Sequence, residues 1–368
     1  MPYKVLYIDD EKIERSQAFA DGLSSLSLVE IEVITPTSFE DLVSELIEKQ
    51  SQFEALILDL KLDGNQKGDR VAKYTAPSLA SGVRSRCHGD SGFIKEFPIF
   101  LISSSENLKK YYNSDTSSHD LFDYTFNKTK ISQKGQEYEK LINSIIITYS
   151  TIQENKINFK KILGEPNEID IEEKLFSSRF LNGEGTSASE ISQFIFNEVI
   201  LKSGVLINEQ ILAARLGINY SVSKDWNQLL EILNVYKYNG VFKESHDRWW
   251  AYEILNWWNS YFPDISIIRL NAEDRVKLIK EKFNLNELTV AQKIEKTTST
   301  KFWTICAAYK KPLDPKDGFL VDGTYIHTWQ DKKYVSLQAI LERESTKLGL
   351  RIHTSEKERL EDIKQAYL

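Results

Sequence analysis

Short apolar runs, each followed by polar residues, recur through the first 150 residues of the chain. They occupy residues 4–8, 53–60 and 98–102, with a weaker run at 124–127 and an alternating segment at 30–35. Runs of this length are typical of buried strands in a parallel sheet. The intervening segments have helical spacing, with Pro77 interrupting the third: 11–26, 39–50, 69–86, 106–112 and 132–155. This alternation predicts an α/β, doubly wound domain with a five-stranded parallel sheet.

Polar side chains follow four of these runs. Asp9 and Asp10 come after the first, Asp59 ends the second, Ser103 follows the third and Lys128 follows the fourth. Because parallel strands end at one edge of their sheet, these side chains should lie together. Clustered carboxylates suit Mg²⁺, and a lysine and a hydroxyl could hold a phosphoryl group on Asp59. Taken alone, Asp59 could equally cap the loop that follows its strand.

Over about residues 1–150 these polar residues, in this order, resemble the receiver domain of bacterial response regulators, and we predict a receiver-like domain over residues 1–155. The resemblance implies a flavodoxin-like (CheY-like) fold, a Mg²⁺ cofactor, and a phosphoryl group supplied by a histidine kinase or phosphotransfer protein of a phosphorelay. It also implies one role for each matching residue. These are metal binding for Asp9 and Asp10, phosphoryl acceptance and metal binding for Asp59, metal binding by the backbone carbonyl of Lys61, and phosphate binding for Ser103 and Lys128.

Several positions depart from the family pattern. Asp63 stands where the family usually has proline, and Lys128 is followed by Thr129 instead of proline. The segment 61–97 is long, and the Lys61 ammonium could fold over the acidic pocket and partly replace Mg²⁺. Lys130 is a rival of Lys128 for the lysine role. The aromatic residue that the family has a few positions before the lysine corresponds here to Tyr124 or Phe126. These departures leave open a pseudo-receiver, an unphosphorylated adaptor subunit of a larger complex.

The second part of the chain resembles no family. Residues 156–190 are rich in turn residues and predict a connector. Residues 191–368 predict a mainly α-helical effector or adaptor domain with a few short strands, acting through contacts with a protein partner. An enzyme in residues 160–368 is a further alternative, but we find no constellation of catalytic residues there and expect no enzyme activity.

A helix-turn-helix pattern over residues 210–224 supports an alternative, a DNA-binding transcriptional regulator. Ala213 precedes the glycine turn at Gly217, and a second helix over 221–233 would present Lys224 and Asn227 to DNA. Two packed helices joined by a glycine turn would give the same pattern. The apolar residue expected after the turn comes one position early, at Val222.

Tryptophans cluster in a predicted aromatic helix over residues 247–262. Four of them are spread too widely around a helix for all to lie on one narrow inner face: Trp249, Trp250, Trp257 and Trp258. The pattern therefore predicts at least one exposed tryptophan that anchors a partner, since tryptophan is enriched in interface hot spots. A helix that is core alone is the alternative.

Charge and composition narrow the function classes. The net charge is −7, with 23 acids and 17 bases in residues 1–150 and 31 acids and 30 bases in the remainder. Neither part is strongly basic, which weakens the DNA alternative. Cys87 and Cys306 are too far apart in sequence for a metal motif or a disulfide framework. We find no secretory leader and no apolar run of about 20 residues, so we expect a cytoplasmic protein without membrane contact, with a homodimer as a further option.

Overall fold

The computed structural model describes residues 1–64, 74–87, 92–112, 116–155, 158–165, 187–323 and 326–367. The chain forms two compact units. The first contains Met1–Asn197 and Asn239–His246, and the second contains Glu198–Tyr238 and Asp247–Leu368. Of the predicted connector, residues 166–186 lie outside the described residues. None of the described helices is long and apolar enough to cross a membrane.

The first unit is built on a five-stranded parallel sheet in the order β2-β1-β3-β4-β5. This is the order of doubly wound, flavodoxin-like domains, so the predicted fold of this part is confirmed. The two central strands β3 and β4 are buried along their whole length. The strands are β1 (Tyr3–Ile8), β2 (Val29–Ile34), β3 (Ala55–Asp59), β4 (Ile99–Ser103) and β5 (Tyr124–Asn127).

Helices connect these strands. In chain order they are α1 (Ile13–Gly22), α2 (Phe39–Glu48), α3 (Ala76–Arg86), α4 (Ser105–Asn107, continuing as a π-helix over Leu108–Tyr112) and α5 (Ile131–Asn155), with short 3₁₀ turns at Thr116–Leu121 and Lys128–Lys130. The prediction placed the start of the third helix too early, at residue 69. In the structure α3 begins at Ala76, and Pro77 lies in its first turn instead of interrupting it. Proline fits there, where its missing N–H would have no intrahelical partner. Residues 69–73 lie outside the described residues.

The first unit extends beyond the sheet. Helix α6 (Phe159–Leu163) follows α5, and α7 (Ala188–Phe194) packs on α5 and continues as a π-helix over Ile195–Ile200. The Phe196 ring lies 6.2 Å from the Tyr124 ring of β5 and 5.0 Å from the Phe242 ring, measured between centroids. Edge strand β5 is therefore covered by residues of the chain itself.

The second unit is mainly helical with a few short strands, as the sequence predicts. Its helices are α8 (Glu209–Leu216), α9 (Trp226–Ile232), α10 (Ala251–Tyr261), α11 (Ala272–Phe283), α12 (Leu337–Leu341), α13 (Glu344–Lys347) and α14 (Lys357–Tyr367). Its strands are β6 (Leu206–Ile207), β7 (Trp249–Trp250), β8 (Thr304–Ile305), β9 (Pro312–Leu313), β10 (Gly318–Leu320) and β11 (Tyr334–Ser336). They form antiparallel pairs β6–β7, β8–β9 and β10–β11.

The prediction of an exposed tryptophan is wrong, because Trp249, Trp250, Trp257 and Trp258 are each at most 3% exposed. The first two belong to strand β7 and only the others lie in α10, so a single helix does not have to bury all four. Trp257 stacks on Phe283 at 5.6 Å between centroids, and the Trp258 indole N–H donates to the Ile265 carbonyl at 2.7 Å. The tryptophans are core.

The predicted helix-turn-helix is also wrong in its geometry. Helix α8 ends at Gly217 (φ +77°), but α9 begins only at Trp226, so the connection exceeds the turn of about three to four residues in such motifs. Ile218 instead forms a β-bridge with Val290. Lys224 lies outside α9 and pairs with Glu287 at 3.0 Å, and Asn227 is exposed in the first turn of α9.

Candidate functional site

The Asp59 carboxylate lies at the carboxyl end of β3, where the sheet ends in polar residues. It is only 6% exposed. One oxygen, Oδ1, contacts the Lys128 ammonium at 2.7 Å, and the other, Oδ2, accepts the Lys61 backbone N–H at 3.0 Å. Burial raises the pKa of Asp59 to about 6, opposed by Lys128 and reinforced by the Asp9 carboxylate.

The two acids after β1 differ in environment. Asp9 is buried and accepts hydrogen bonds from the Tyr7 hydroxyl, the Glu11 backbone N–H at 2.9 Å and the Lys128 ammonium at 2.9 Å. Asp10 is half-buried and accepts the Gly64 backbone N–H at 2.6 Å. Partial burial raises the pKa of Asp10 above its usual value, helped by the Asp9 charge.

Lys128 is the cation of the site. It follows β5, its side chain is 8% exposed, and it bridges Asp9 and Asp59. Burial lowers its pKa, but the Asp59 and Asp9 carboxylates outweigh this and leave the pKa above the ordinary lysine value. Lys128 is therefore charged at neutral pH. The rival Lys130 is exposed, so Lys128 occupies the position predicted for the lysine.

The three carboxylates fit a hard divalent cation. Asp9, Asp10 and Asp59 each offer an oxygen, and these oxygens lie within 4.8 Å of one another. Mg²⁺ prefers oxygen ligands and keeps several waters, which suits a partly open, three-acid set. Burial is the main cause of the raised pKa values of Asp10 and Asp59, and the Asp9 charge raises both further. The predicted metal ligands therefore lie together.

The Lys61 ammonium does not fold over the acidic pocket. It lies 4.5 Å from the centroid of the Tyr111 ring, while only the Lys61 backbone N–H reaches Asp59. An aromatic face attracts an ammonium group, and the pocket already contains Lys128. The expectation that the Lys61 side chain folds over the acidic pocket is therefore wrong, and the ammonium that contacts Asp9 and Asp59 is that of Lys128.

The Ser103 hydroxyl is fully buried at the end of β4, one strand from Asp59. Within the described residues it has no hydrogen-bond partner. The sheet register pairs Asp59 with Ile102 and Ser103 with Asn127, so β3, β4 and β5 end in line. A buried hydroxyl without a partner costs free energy, and it leaves a donor available to a group bound at this edge.

Two contributors, Tyr7 and Asn127, were not among the site residues predicted from the sequence. Tyr7 points inward from β1 and donates to Asp9. Asn127 accepts from the Thr129 backbone N–H at 3.0 Å and donates to Ser105 Oγ at 2.7 Å, so it shapes the turn in which the family pattern would have proline. An asparagine directly before the lysine is the one sequence signal that indicated such a cap.

Solved receiver domains resemble the first part of the chain. The phosphorylated cyanobacterial phytochrome response regulator RcpA is 16% identical, over 40% of this chain and 96% of its own, with a TM-score of 0.28. The signal receiver domain of a protein assigned as a LuxO repressor of Vibrio parahaemolyticus is 11% identical, over 39% and 93%, with a TM-score of 0.25. The receiver domain of the hybrid histidine kinase CckA is 16% identical, over 37% and 98%, with a TM-score of 0.22.

No protein-family model matches the sequence, and no curated protein matches it. With identities and TM-scores this low, the class of the first unit rests on its own strand order and on the side chains at the carboxyl edge of its sheet. Five parallel strands in this order, ending in an acid pair, a buried acid, a buried hydroxyl and a lysine, define a receiver-like domain.

Proposed function

We propose that this chain is a response-regulator-type signalling protein that is switched by phosphorylation of Asp59. The observation that carries the proposal is the set of groups around that carboxylate. Asp59 is buried beside two further carboxylates and a charged lysine, and the unpartnered Ser103 hydroxyl lies on the next strand. A buried site with opposed charges and an unused donor is typical of a functional site rather than of a packed strand end.

The donor in this proposal is a phosphohistidine of a histidine kinase or phosphotransfer protein. An Asp59 oxygen attacks phosphorus, an oxygen–phosphorus bond forms, and the nitrogen–phosphorus bond breaks with its electron pair returning to the imidazole. Mg²⁺, when held by Asp9, Asp10, Asp59 and the Lys61 carbonyl, would neutralise charge on the phosphoryl oxygens. Lys128 adds positive charge, and Ser103 donates a hydrogen bond to a phosphoryl oxygen.

The same contacts explain how phosphorylation would be sensed. The modification adds a charge of roughly −1.5 to −2 at neutral pH. Lys128 now divides its charge between Asp9 and Asp59, and a phosphoryl group would compete for both it and Ser103. Movement of the ends of β4 and β5 would change the packing around Tyr124 and Phe126. In this proposal the second unit responds through contacts with a protein partner.

Binding of beryllofluoride, a phosphoryl mimic, tests the site at equilibrium. The wild-type protein should gain thermal stability when beryllofluoride and Mg²⁺ are added together, and Asp59→Asn should abolish the gain. Asp10→Asn should weaken the Mg²⁺ dependence while leaving the fold intact, because the asparagine carbonyl can still accept the Gly64 N–H. A wild-type protein that is insensitive to saturating beryllofluoride and Mg²⁺ would contradict the proposal.

A pseudo-receiver is the second candidate, and one observation favours it. Lys128 bridges Asp9 and Asp59, and a lysine that neutralises two of the three carboxylates is what a receiver that needs neither Mg²⁺ nor a phosphoryl group would contain. In that case Mg²⁺ titration would leave the melting temperature unchanged, and Lys128→Met would destabilise the protein strongly because it leaves buried carboxylates uncompensated. The DNA-binding alternative loses its support at Lys224 and Asn227, since the motif geometry is not that of a helix-turn-helix.

A further inference from the structure

A groove of about 340 Å³ opens on the second unit, within residues that belong to that unit alone. Its walls come from four separate segments of the chain: helix α8, the loop that follows it, residues 291–293, and the turn between β8 and β9. None of the groups proposed to bind the phosphoryl group at Asp59 takes part in it. The groove is therefore a separate feature.

Positive charge lines this groove. Lys293, Lys310 and Lys311 all border it, and no acidic side chain is found among the described residues of its wall. Among the described residues, none of these three lysines has a carboxylate partner within 4 Å. Other lysines do, such as Lys224 with Glu287. The chain as a whole has a net charge of −7. Three lysines and no acid around one groove depart from the acidic composition of the chain, and this excess of positive charge favours an anionic ligand.

A tight turn fixes two of these lysines. The Cys306 backbone N–H donates to the Lys311 carbonyl, and the Lys310 N–H donates to the Cys306 carbonyl, each at 2.8 Å. Lys310 has φ +56°, a left-handed conformation that non-glycine residues adopt rarely and at a free-energy cost. The neighbouring Cys306 side chain is fully buried, so the turn is anchored in the core. The backbone thus holds both lysines at the groove.

The remainder of the wall is not charged. Apolar side chains form part of it, including Ala213, Ile218 and Ile305. Asn219, Tyr220 and Ser221 also border the groove with amide, phenol and hydroxyl groups, and the Ser221 hydroxyl donates to the Asn219 side chain at 2.9 Å. A ligand that uses the whole groove would therefore carry both anionic oxygens and a less polar part.

We infer that this groove binds a phosphate-bearing ligand of the nucleotide class. Lysine ammonium groups bind phosphate oxygens as point charges, and three of them match the charge of a di- or triphosphate or of successive phosphates in a strand. The Tyr220 ring and the apolar side chains of the same groove suit a base, because bases pack on aromatic side chains. The same chemistry is offered by a free nucleotide and by single-stranded nucleic acid.

Binding measurements on the full chain test this inference with two probes. ATP binding is followed by calorimetry, and binding of a fluorescently labelled single-stranded oligonucleotide is followed by anisotropy over a series of salt concentrations. The groove variant combines Lys293→Gln, Lys310→Gln and Lys311→Gln. It should bind whichever probe the wild type binds at least about tenfold more weakly, with a shallower salt dependence for the strand, since fewer counterions are released.

A matched variant controls for overall charge. It combines Lys277→Gln, Lys301→Gln and Lys357→Gln, which are exposed residues of the same unit outside the groove. This variant, and separately Lys224→Gln, should bind like the wild type. Thermal melting checks that each variant is folded, and none should melt much lower because the changed side chains are at the surface.

The two probes distinguish the sources of the ligand. ATP binding that the groove variant loses would assign a free nucleotide, and strand binding that ATP does not displace would assign nucleic acid; both support the inference. The inference is overturned if the wild type binds neither probe, or if the groove variant binds as tightly as the matched control. Inorganic pyrophosphate should compete with ATP, and failure to compete would contradict the role of the lysines as phosphate ligands.

Discussion

At the scale of the residue, the site is defined by charges that are buried together. Asp59 and Asp9 would repel each other strongly, and Lys128 offsets this repulsion by contacting both. Burial nevertheless raises the pKa of Asp59 to about 6, because it disfavours the charged carboxylate more than Lys128 favours it. Ionised Asp59 therefore destabilises the fold relative to its neutral form. Buried carboxylates with perturbed pKa values cluster at functional sites, which supports the role proposed for Asp59.

Substitution of Asp59 by asparagine should stabilise the protein at pH 7 in metal-free buffer. Because the folded-state pKa lies above the value of 3.8 for a free carboxyl, Asp59 lowers stability as pH rises from about 4 to about 6. The gain for Asp59→Asn should be at most about 3 kcal/mol at pH 7 and should vanish near pH 4. Denaturant unfolding of both proteins across this pH range measures it.

Asp362→Asn provides the control, because this carboxylate is exposed in α14. Its effect on the free energy of unfolding should stay within about 0.5 kcal/mol at both pH values. An Asp59→Asn protein that is less stable than the wild type at pH 7 would mean that the ion pair with Lys128 outweighs desolvation, contrary to this account.

Ser103 should show the opposite effects on stability and on phosphoryl binding. Its hydroxyl is buried without a partner, so Ser103→Ala should leave the free energy of unfolding unchanged or raise it by up to about 1 kcal/mol. The stabilisation by beryllofluoride and Mg²⁺ should nevertheless shrink, because a hydrogen bond to the mimic is lost. Ser104→Ala is the neighbouring control, since the Asn107 N–H donates to Ser104 at 3.3 Å. That variant should lose stability and keep the full beryllofluoride response, and the reverse pattern would contradict the role given to Ser103.

At the scale of the element, the strand ends of the first unit were predictable. For the second unit, the mainly helical class was predictable but the packing of its elements was not. A buried parallel strand leaves a continuous apolar run, and its first polar residue marks the carboxyl edge of the sheet, so Asp9, Asp59, Ser103 and Lys128 were found from their order alone. The start of α3 at Ala76 was missed because Pro77 looks like an interruption within a longer helix, whereas it lies in the first turn of α3.

The tryptophans show why helical periodicity fails to predict burial when different segments of the chain cover different side chains. Trp249 and Trp250 are in β7, which pairs with β6, while Trp257 and Trp258 are in α10 and pack on other segments. No local sequence pattern indicates that the four tryptophans are divided between a strand and a helix. In the same way, Gly217 looks like the turn of a two-helix motif, but residues 289–291 bond to the loop after it, through Asn219 N–H to Thr289 and Ala291 N–H to Gly217.

Trp258→Ala should unfold the second unit readily rather than affect a binding surface. The side chain is fully buried, and its N–H is satisfied by Ile265, so the substitution leaves a large cavity and an unpaired carbonyl. The expected cost is about 3–5 kcal/mol in the free energy of unfolding. Val235→Ala, at a side chain that is 79% exposed, should change it by less than about 0.5 kcal/mol. Similar small effects for both variants would show that Trp258 is not core.

At the scale of the whole molecule, the chain passes between its two units more than once. Residues up to Asn197 belong to the first unit, the chain then enters the second, and Asn239–His246 return to the first. The Val241 N–H donates to the Ile162 carbonyl at 3.0 Å, and Phe242 contacts Phe196. The two units therefore cannot be separated by one cut.

A chain truncated after Asn155 should be less stable than the receiver-like sheet of the full protein. Truncation removes α6, α7 and Phe196, and it exposes the apolar surface of α5 and Tyr124 that these residues cover. We expect a lower melting temperature and increased binding of a hydrophobic dye, because exposed apolar patches of this kind bind such dyes and favour association. A truncated chain that melts as high as the full protein, without dye binding, would show that the added residues contribute little.

Covalent modification of Asp59 tests the central claim most directly. Full-length protein is incubated with acetyl phosphate and Mg²⁺ and its intact mass is measured, beside Asp59→Asn and a wild-type sample with Mg²⁺ chelated. The account predicts one phosphoryl adduct on the wild type with Mg²⁺, and none on the variant or without the metal. A folded wild-type protein that shows no adduct at saturating donor, or an adduct that persists in Asp59→Asn, would contradict it.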